Sequence, residues 1–224
     1  MTPTQARAPL SRDRVVRAAT SIADGAGLGA LTMRSLADSL GVKPMSLYHH
    51  VANKDAVLDA LVDAVFAEIE LPEEGGEWRA QMRGRAVSAR GAMNRHPWAL
   101  ALMESRTSPG PATLRHHDAV IGCLRSAGFS LPLTAHAYAV VDAFVYGFAL
   151  QEASLPVEAP GEVAPLAEGI MEGFSERDYP HLVEFALGHV MVPGYDFGDS
   201  FEVGLDLVLE GLARARAADE APGR

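Results

Sequence analysis

The chain holds one cysteine, Cys123, so an intramolecular disulfide is excluded and the thiol reads as a small buried hydrophobe. Lysine is almost missing, with only Lys43 and Lys54. No stretch of about 18 uncharged apolar residues occurs, and the richest one, Leu131–Leu150, contains His136 and Asp142. That stretch reads as a buried helix of a protein interior rather than a membrane span. The opening MTPTQARAPLSRDR lacks the apolar core of a secretory signal, so the expected location is the cytoplasm. There is no G-x-S-x-G, no phosphate-binding P-loop and no dinucleotide fingerprint, and nothing orders Ser and His into a triad. Eight histidines are present, but His49-His50 and His116-His117 are adjacent pairs. Neighbours on a helix point roughly 100° apart and chelate badly. No HExxH occurs either, so neither a metal nor a cofactor is expected. Strand-like alternation, repeats and low-complexity tracts are also missing.

What is present is 224 residues with 48% hydrophobic and 21% charged side chains, enough for one or two domains with a packed core. The most informative stretch is LTMRSLADSLGVKPMSLYHHVANKD, residues 31–55. Thr32 is a good helix N-cap, and Leu36, Ala37 and Leu40 give one apolar stripe on a short helix. Gly41 is a helix stop, because a residue without Cβ takes positive φ cheaply. Pro44 opens a second short helix at a position where its missing N–H costs nothing. Leu47 and Val51 face back onto the first helix, which leaves Met45, Ser46, Tyr48 and His50 outward. That is the helix-turn-helix plan. Charge agrees with it. Residues 1–54 carry seven Arg/Lys against three Asp, a net +4, and the chain total of −10 leaves −14 for the rest. A basic N-terminal piece on an acidic body points to a polyanion partner for that piece alone.

The run LT-R-LA--LGV---LYHHV-NKD--L resembles the N-terminal domain of TetR-family bacterial transcriptional regulators over residues 11 to about 70, closest in style to the tetracycline repressor branch. A second stretch, Ala127–Leu150, is similar to a core helix of that branch's C-terminal domain. The resemblance implies an all-α fold. An N-terminal three-helix helix-turn-helix DNA-binding domain (11–54) would follow a flexible arm (1–10). A larger helical ligand-binding and dimerisation domain (55–218) and a tail (219–224) would complete the chain. It implies a DNA-facing set of Thr32, Arg34, Lys43, Pro44, Met45, Ser46, Tyr48, His50 and Lys54. Arg34 is expected on a guanine edge, Pro44 and Met45 on a thymine methyl, Tyr48 and Lys54 on phosphate. No Gln or Asn stands there to read adenine, so the operator cannot be borrowed from the tetracycline branch.

The remaining chain reads as helices separated by Gly/Pro-rich breaks. The first runs from Ser11 to about Asp24, where GAGLGA breaks it, and Arg7 and Arg12 can reach toward DNA from the arm. A helix capped by Asn53 runs to about Glu70 and joins head to body. Helices are then expected at Trp78–Arg95, Trp98–Glu104, Ala112–Ala127, Leu131–Ala153, Leu166–Phe174, Tyr179–Val190 and Phe201–Arg216, with a loop at Leu155–Val163. The resemblance pairs helices 131–153 and 199–216 with their copies in a homodimer. On the last helix Phe201, Leu205, Val208, Leu209 and Leu212 form one stripe, and Leu205 and Leu209 are expected at the dimer contact. The effector-facing set is Arg85, Trp98, Met103, His117, His136, Tyr138, Phe144, Phe148 and Gln151. The tetracycline repressor binds its drug with a magnesium ion held by a histidine and backed by a glutamate from the partner subunit. Here the glutamate place reads Gln151 and the histidine region reads Met103–Arg106, so tetracycline–magnesium is not the expected inducer. The expectation is a ligand-responsive repressor that binds a palindromic operator as a homodimer and is released by a small, mainly apolar effector. The alternatives are an activator of the same fold, or a helical carrier or enzyme.

Overall fold

The computed structural model describes residues 9–73, 75–103, 105–156, 163–171, 173 and 175–219. Arg7, most of the arm, most of the 155–163 loop and the end of the tail lie outside the described residues. The described residues are helical, with no strand among them.

Local signals set the first elements. Ser11 caps α1 (Arg12–Ala30), its Oγ accepting from the Arg14 N–H at 3.2 Å. Arg12 is thus the first helical residue, as a cap at Ser11 implies. α1 passes the expected break at Gly25, and Gly27 turns it with φ 74° before a last turn to Ala30. α2 (Met33–Leu40) begins in a reciprocal cap between Thr32 and Ser35 and ends at Gly41, which sits in the left-handed region at φ 65°. α3 is only Pro44–Leu47, and α4 (Lys54–Ala67) is capped by Asn53, whose Oδ1 accepts from Ala56 at 2.8 Å. Val15, Ala19, Leu36, Leu40, Leu47, Val51 and Leu61 close the head around its own apolar core.

The body follows as α5 (Trp78–Arg95), α6 (Ala99–Met103), α7 (Pro111–Ser126), α8 (Leu131–Ser154), α9 (Val163–Met171), α10 (Pro180–Phe185) and α11 (Ser200–Asp219). A π turn at Ala186–Val190 and a 3-10 turn at Phe197–Asp199 lie between the last two. α8 packs on α5, α7 and α11, and α4 packs on α1, α6 and α7. α8 is apolar and long enough to cross a bilayer by length and composition. Its Asp142 forms an ion pair with a buried arginine and its Val141, Val145 and Ala149 sit in the body core, but only one face is covered: 28% of its most apolar window is buried, less than the expected interior helix would show. Leu28, Leu58 and Trp98 pack against both cores, so α1 and α4 fasten the head to the body. Cys123 is half-buried rather than buried, and burial pushes its thiol pKa up.

The last helix corrects one expectation. Leu205 and Leu209 are 0% and 3% exposed inside a single chain. They sit in the body core, with no surface left for a partner subunit. The outward apolar residues of α11 are Val203 and Leu207, at 63% and 65% exposed. On α8 Val140 and Leu150 are also exposed.

Candidate DNA-reading surface and effector pocket

Thr32, Arg34, Lys43, Pro44, Met45, Tyr48 and Lys54 are all exposed, and Ser46 and His50 are half-buried. Met45 is 72% exposed. Thr32 has a second duty, because its hydroxyl accepts from the Ser35 N–H at 3.0 Å. Arg34, Lys43 and Lys54 have no acidic partner among the described residues. Four of the body's arginines are paired internally: Arg83 on Asp206, Arg90 on Glu152, Arg95 on Glu68 and Arg106 on Asp59. His49, which was not expected at the surface, is exposed beside Tyr48.

The body contains a cavity of about 340 Å³, at the small end for ligand pockets. Phe66, Met103, Tyr138 and Tyr146 supply its apolar walls, and Asp59, Arg106, Thr113, His117 and Asp142 its polar ones. Of the expected effector residues, Met103, His117 and Tyr138 meet here. The others do not. Arg85 lies behind the wall, fully buried, with Nη1 2.6 Å from Asp142 Oδ1 and Nε 3.1 Å from His116 Nε2. The Arg85–Asp142 contact is an ion pair without hydrogen-bond alignment. Trp98 is at the head–body junction, donating from Nε1 to Asp24 at 2.6 Å. Phe144 and Phe148 stack on Phe201 and Phe197 and hold α11 to α8. His136 and Gln151 are exposed on α8. A larger cleft of about 1360 Å³ lies between residues 71–79, α7 and the end of α11. It is open and mixed in charge, and it does not touch α4.

Protonation inside the pocket is fixed by burial. Burial first, then the Arg85 charge and His117, lower His116 to about 3, so its ring is neutral and its Nε2 accepts from Arg85. Burial also lowers His117 and raises Tyr138. The phenol of Tyr138 and Nδ1 of His117 share a hydrogen bond whose direction follows the imidazole tautomer.

The pocket also grips the connecting helix. Asp55, Asp59 and Asp63 stand one turn apart on α4. Arg106 reaches Asp59 at 2.6 Å and Asp55 at 3.2 Å, and Thr113 donates to Asp63 from its N–H at 2.8 Å and its hydroxyl at 3.0 Å. The same 106–113 segment forms one wall of the cavity. Arg106, Asp142 and Phe66 were missed as site residues. The one sequence signal was an aspartate inside the most apolar stretch of the chain.

Two profiles match. The one described as "Bacterial regulatory proteins, tetR family" covers residues 15–61, and "Tetracyclin repressor-like, C-terminal domain" covers residues 71–216. The chain belongs to the TetR family. It is 35% identical over 206 residues to an HTH-type transcriptional regulator of Saccharopolyspora erythraea, covering 91% of this chain and 85% of that one. It is 31% identical over 219 residues to the class A tetracycline repressor from transposon 1721 of Escherichia coli, covering 92% of each. A solved structure of the Streptomyces coelicolor TetR-family protein ActR with actinorhodin superposes with a TM-score of 0.77 at 32% identity, covering 93% of this chain and 99% of that one. This TetR-family chain is therefore a transcriptional regulator with a DNA-binding head and a ligand-binding body. Among the described residues no group of three or more His, Cys, Asp or Glu side chains is placed to hold a metal ion.

Proposed function

We propose that two copies of this chain, acting in the cytoplasm, bind a palindromic operator and repress transcription until a small, mainly apolar aromatic effector enters the body. In this reading residues 11–54 form the DNA-reading domain and 55–218 the effector and dimerisation body. The observation that carries it is the grip of the 106–113 segment on α4. One side of that segment faces the cavity, and the other holds the helix that carries the head. An effector that displaces the segment moves α4 and with it the reading helix. Both heads must fit one face of the DNA, with half-sites about 34 Å apart or somewhat more. A preference of about 1–3 kcal/mol for the non-binding spacing is then enough to release DNA.

The exposed apolar faces of α8 and α11 support the dimer. α8 spans about 36 Å and α11 about 30 Å, long enough for a four-helix bundle between subunits. Exposed Ala139 and Ala143 allow close approach. The ActR complex with actinorhodin supports small-molecule occupancy of such a body, and the tetracycline repressor relative supports repression rather than activation. Binding of the purified protein to random duplex DNA, followed by a reporter driven by the selected sequence, tests this. The expected result is a two-fold symmetric site and a reporter that is silent when the protein is present. A reporter that rises with the protein would make it an activator.

A further inference from the structure

We infer that His96, held between carboxylates of the head and the body, is a positioning residue that clamps the head in place as an imidazolium. His96 closes α5, with its N–H on the carbonyls of Ala92 and Met93, and Pro97 follows. The side chain is therefore presented at a fixed place, and the residue is 7% exposed. Its Nδ1 is 2.7 Å from Asp24 Oδ1 on α1, and its Nε2 is 3.1 Å from Glu68 Oε1 just after α4. A neutral ring has one N–H and one lone pair. Either neutral tautomer sets a lone pair against a carboxylate oxygen, and only the doubly protonated ring donates to both.

The surroundings favour charged carboxylates. Arg95 holds the other oxygen of Glu68 from Nε at 3.1 Å and Nη2 at 2.8 Å. Burial works to raise Glu68, but the bonds from Arg95 and His96 outweigh it and its pKa is lowered. Asp24 also accepts from Trp98 Nε1. The charged groups facing His96 are thus Asp24 from α1 and Glu68 from the turn after α4, with Arg95 beyond Glu68.

This bears on the hinge of the proposed switch, but its test needs neither operator nor effector, so the two stand or fall separately. Backbone amide exchange of residues 18–24, referred to α8, is compared between the wild type and two variants at one pH. Loss of a charge-assisted clamp should lower protection by roughly tenfold in His96→Gln. Asp24→Asn, which preserves shape, should lower it similarly and decides the matter if His96→Gln does not fold. Nitrogen NMR of the wild type should find both ring nitrogens of His96 carrying protons. Variants that keep the wild-type protection, or a ring with one bare nitrogen, overturn the inference.

Discussion

Leu207→Glu should produce folded monomers. Leu207 has 65% of its surface open in the single chain, in line with Val203 at 63% one turn earlier. Fully burying a leucine is worth about 1.5–3 kcal/mol, so covering the exposed part is worth about 1.5 kcal/mol per copy. A two-fold interface counts every contact twice. The substitution therefore removes about 3 kcal/mol of dimer stability, more than a hundredfold in the dissociation constant, before any cost of burying the new charge. Leu205 is the control. It is fully buried within the chain, so Leu205→Glu places a charge in the core and should unfold the protein rather than split it. Sedimentation equilibrium with circular dichroism on the same samples separates the outcomes. A folded Leu207→Glu that remains dimeric at the wild-type concentration would refute the assigned interface, as would a folded monomer from Leu205→Glu.

Arg85→Met should cost about 3–5 kcal/mol in urea unfolding, because it strands Asp142 in the core, while Arg85→Met with Asp142→Leu should cost less than Arg85→Met alone. Arg34→Ala should relax base preference at one position of each half-site by about 1–3 kcal/mol in a gel-shift series, since Arg34 is an exposed cation near the start of the proposed helix-turn-helix. Lys54→Ala should instead weaken all sequences alike and reduce the salt slope. His116 is held neutral, its pKa lowered to about 3, so the unfolded chain binds more protons below the ordinary value of 6.5. Stability should be intact above about 6.5 and fall as pH drops from there toward about 3, as read by thermal unfolding.

The head was legible because its signals are local. Thr32, Gly41, Pro44 and Asn53 each act within four residues of themselves, and each does what its chemistry suggests. α5 likewise begins at Trp78 and ends at Arg95 as the His96-Pro97 pair indicates. Facing was harder. α11 carries two apolar stripes, Leu205 with Leu209 and Val203 with Leu207, at the same four-residue spacing. Spacing alone does not say which meets α8 and which meets solvent. α8 is apolar nearly all round, so Tyr138 turns to the cavity while Phe144 and Phe148 turn to α11, with no periodic cue to separate them. Trp98 looked like a pocket residue because it is aromatic. Its indole N–H instead finds Asp24, a contact 74 positions away in sequence. The Arg106 grip on Asp55 and Asp59 crosses about 50 residues and has no local signature.

The most direct test of the coupling between cavity and head is a calorimetric titration of a compound retained by the protein in an equilibrium-dialysis screen. The titration is run once on the free dimer and once on the dimer saturated with its selected operator. Linkage requires that operator weaken the compound by the same factor by which the compound weakens operator, about 5- to 150-fold for a coupling of 1–3 kcal/mol. Equal affinities in the two titrations would contradict the account, because a ligand that does not distinguish the two states cannot release the DNA.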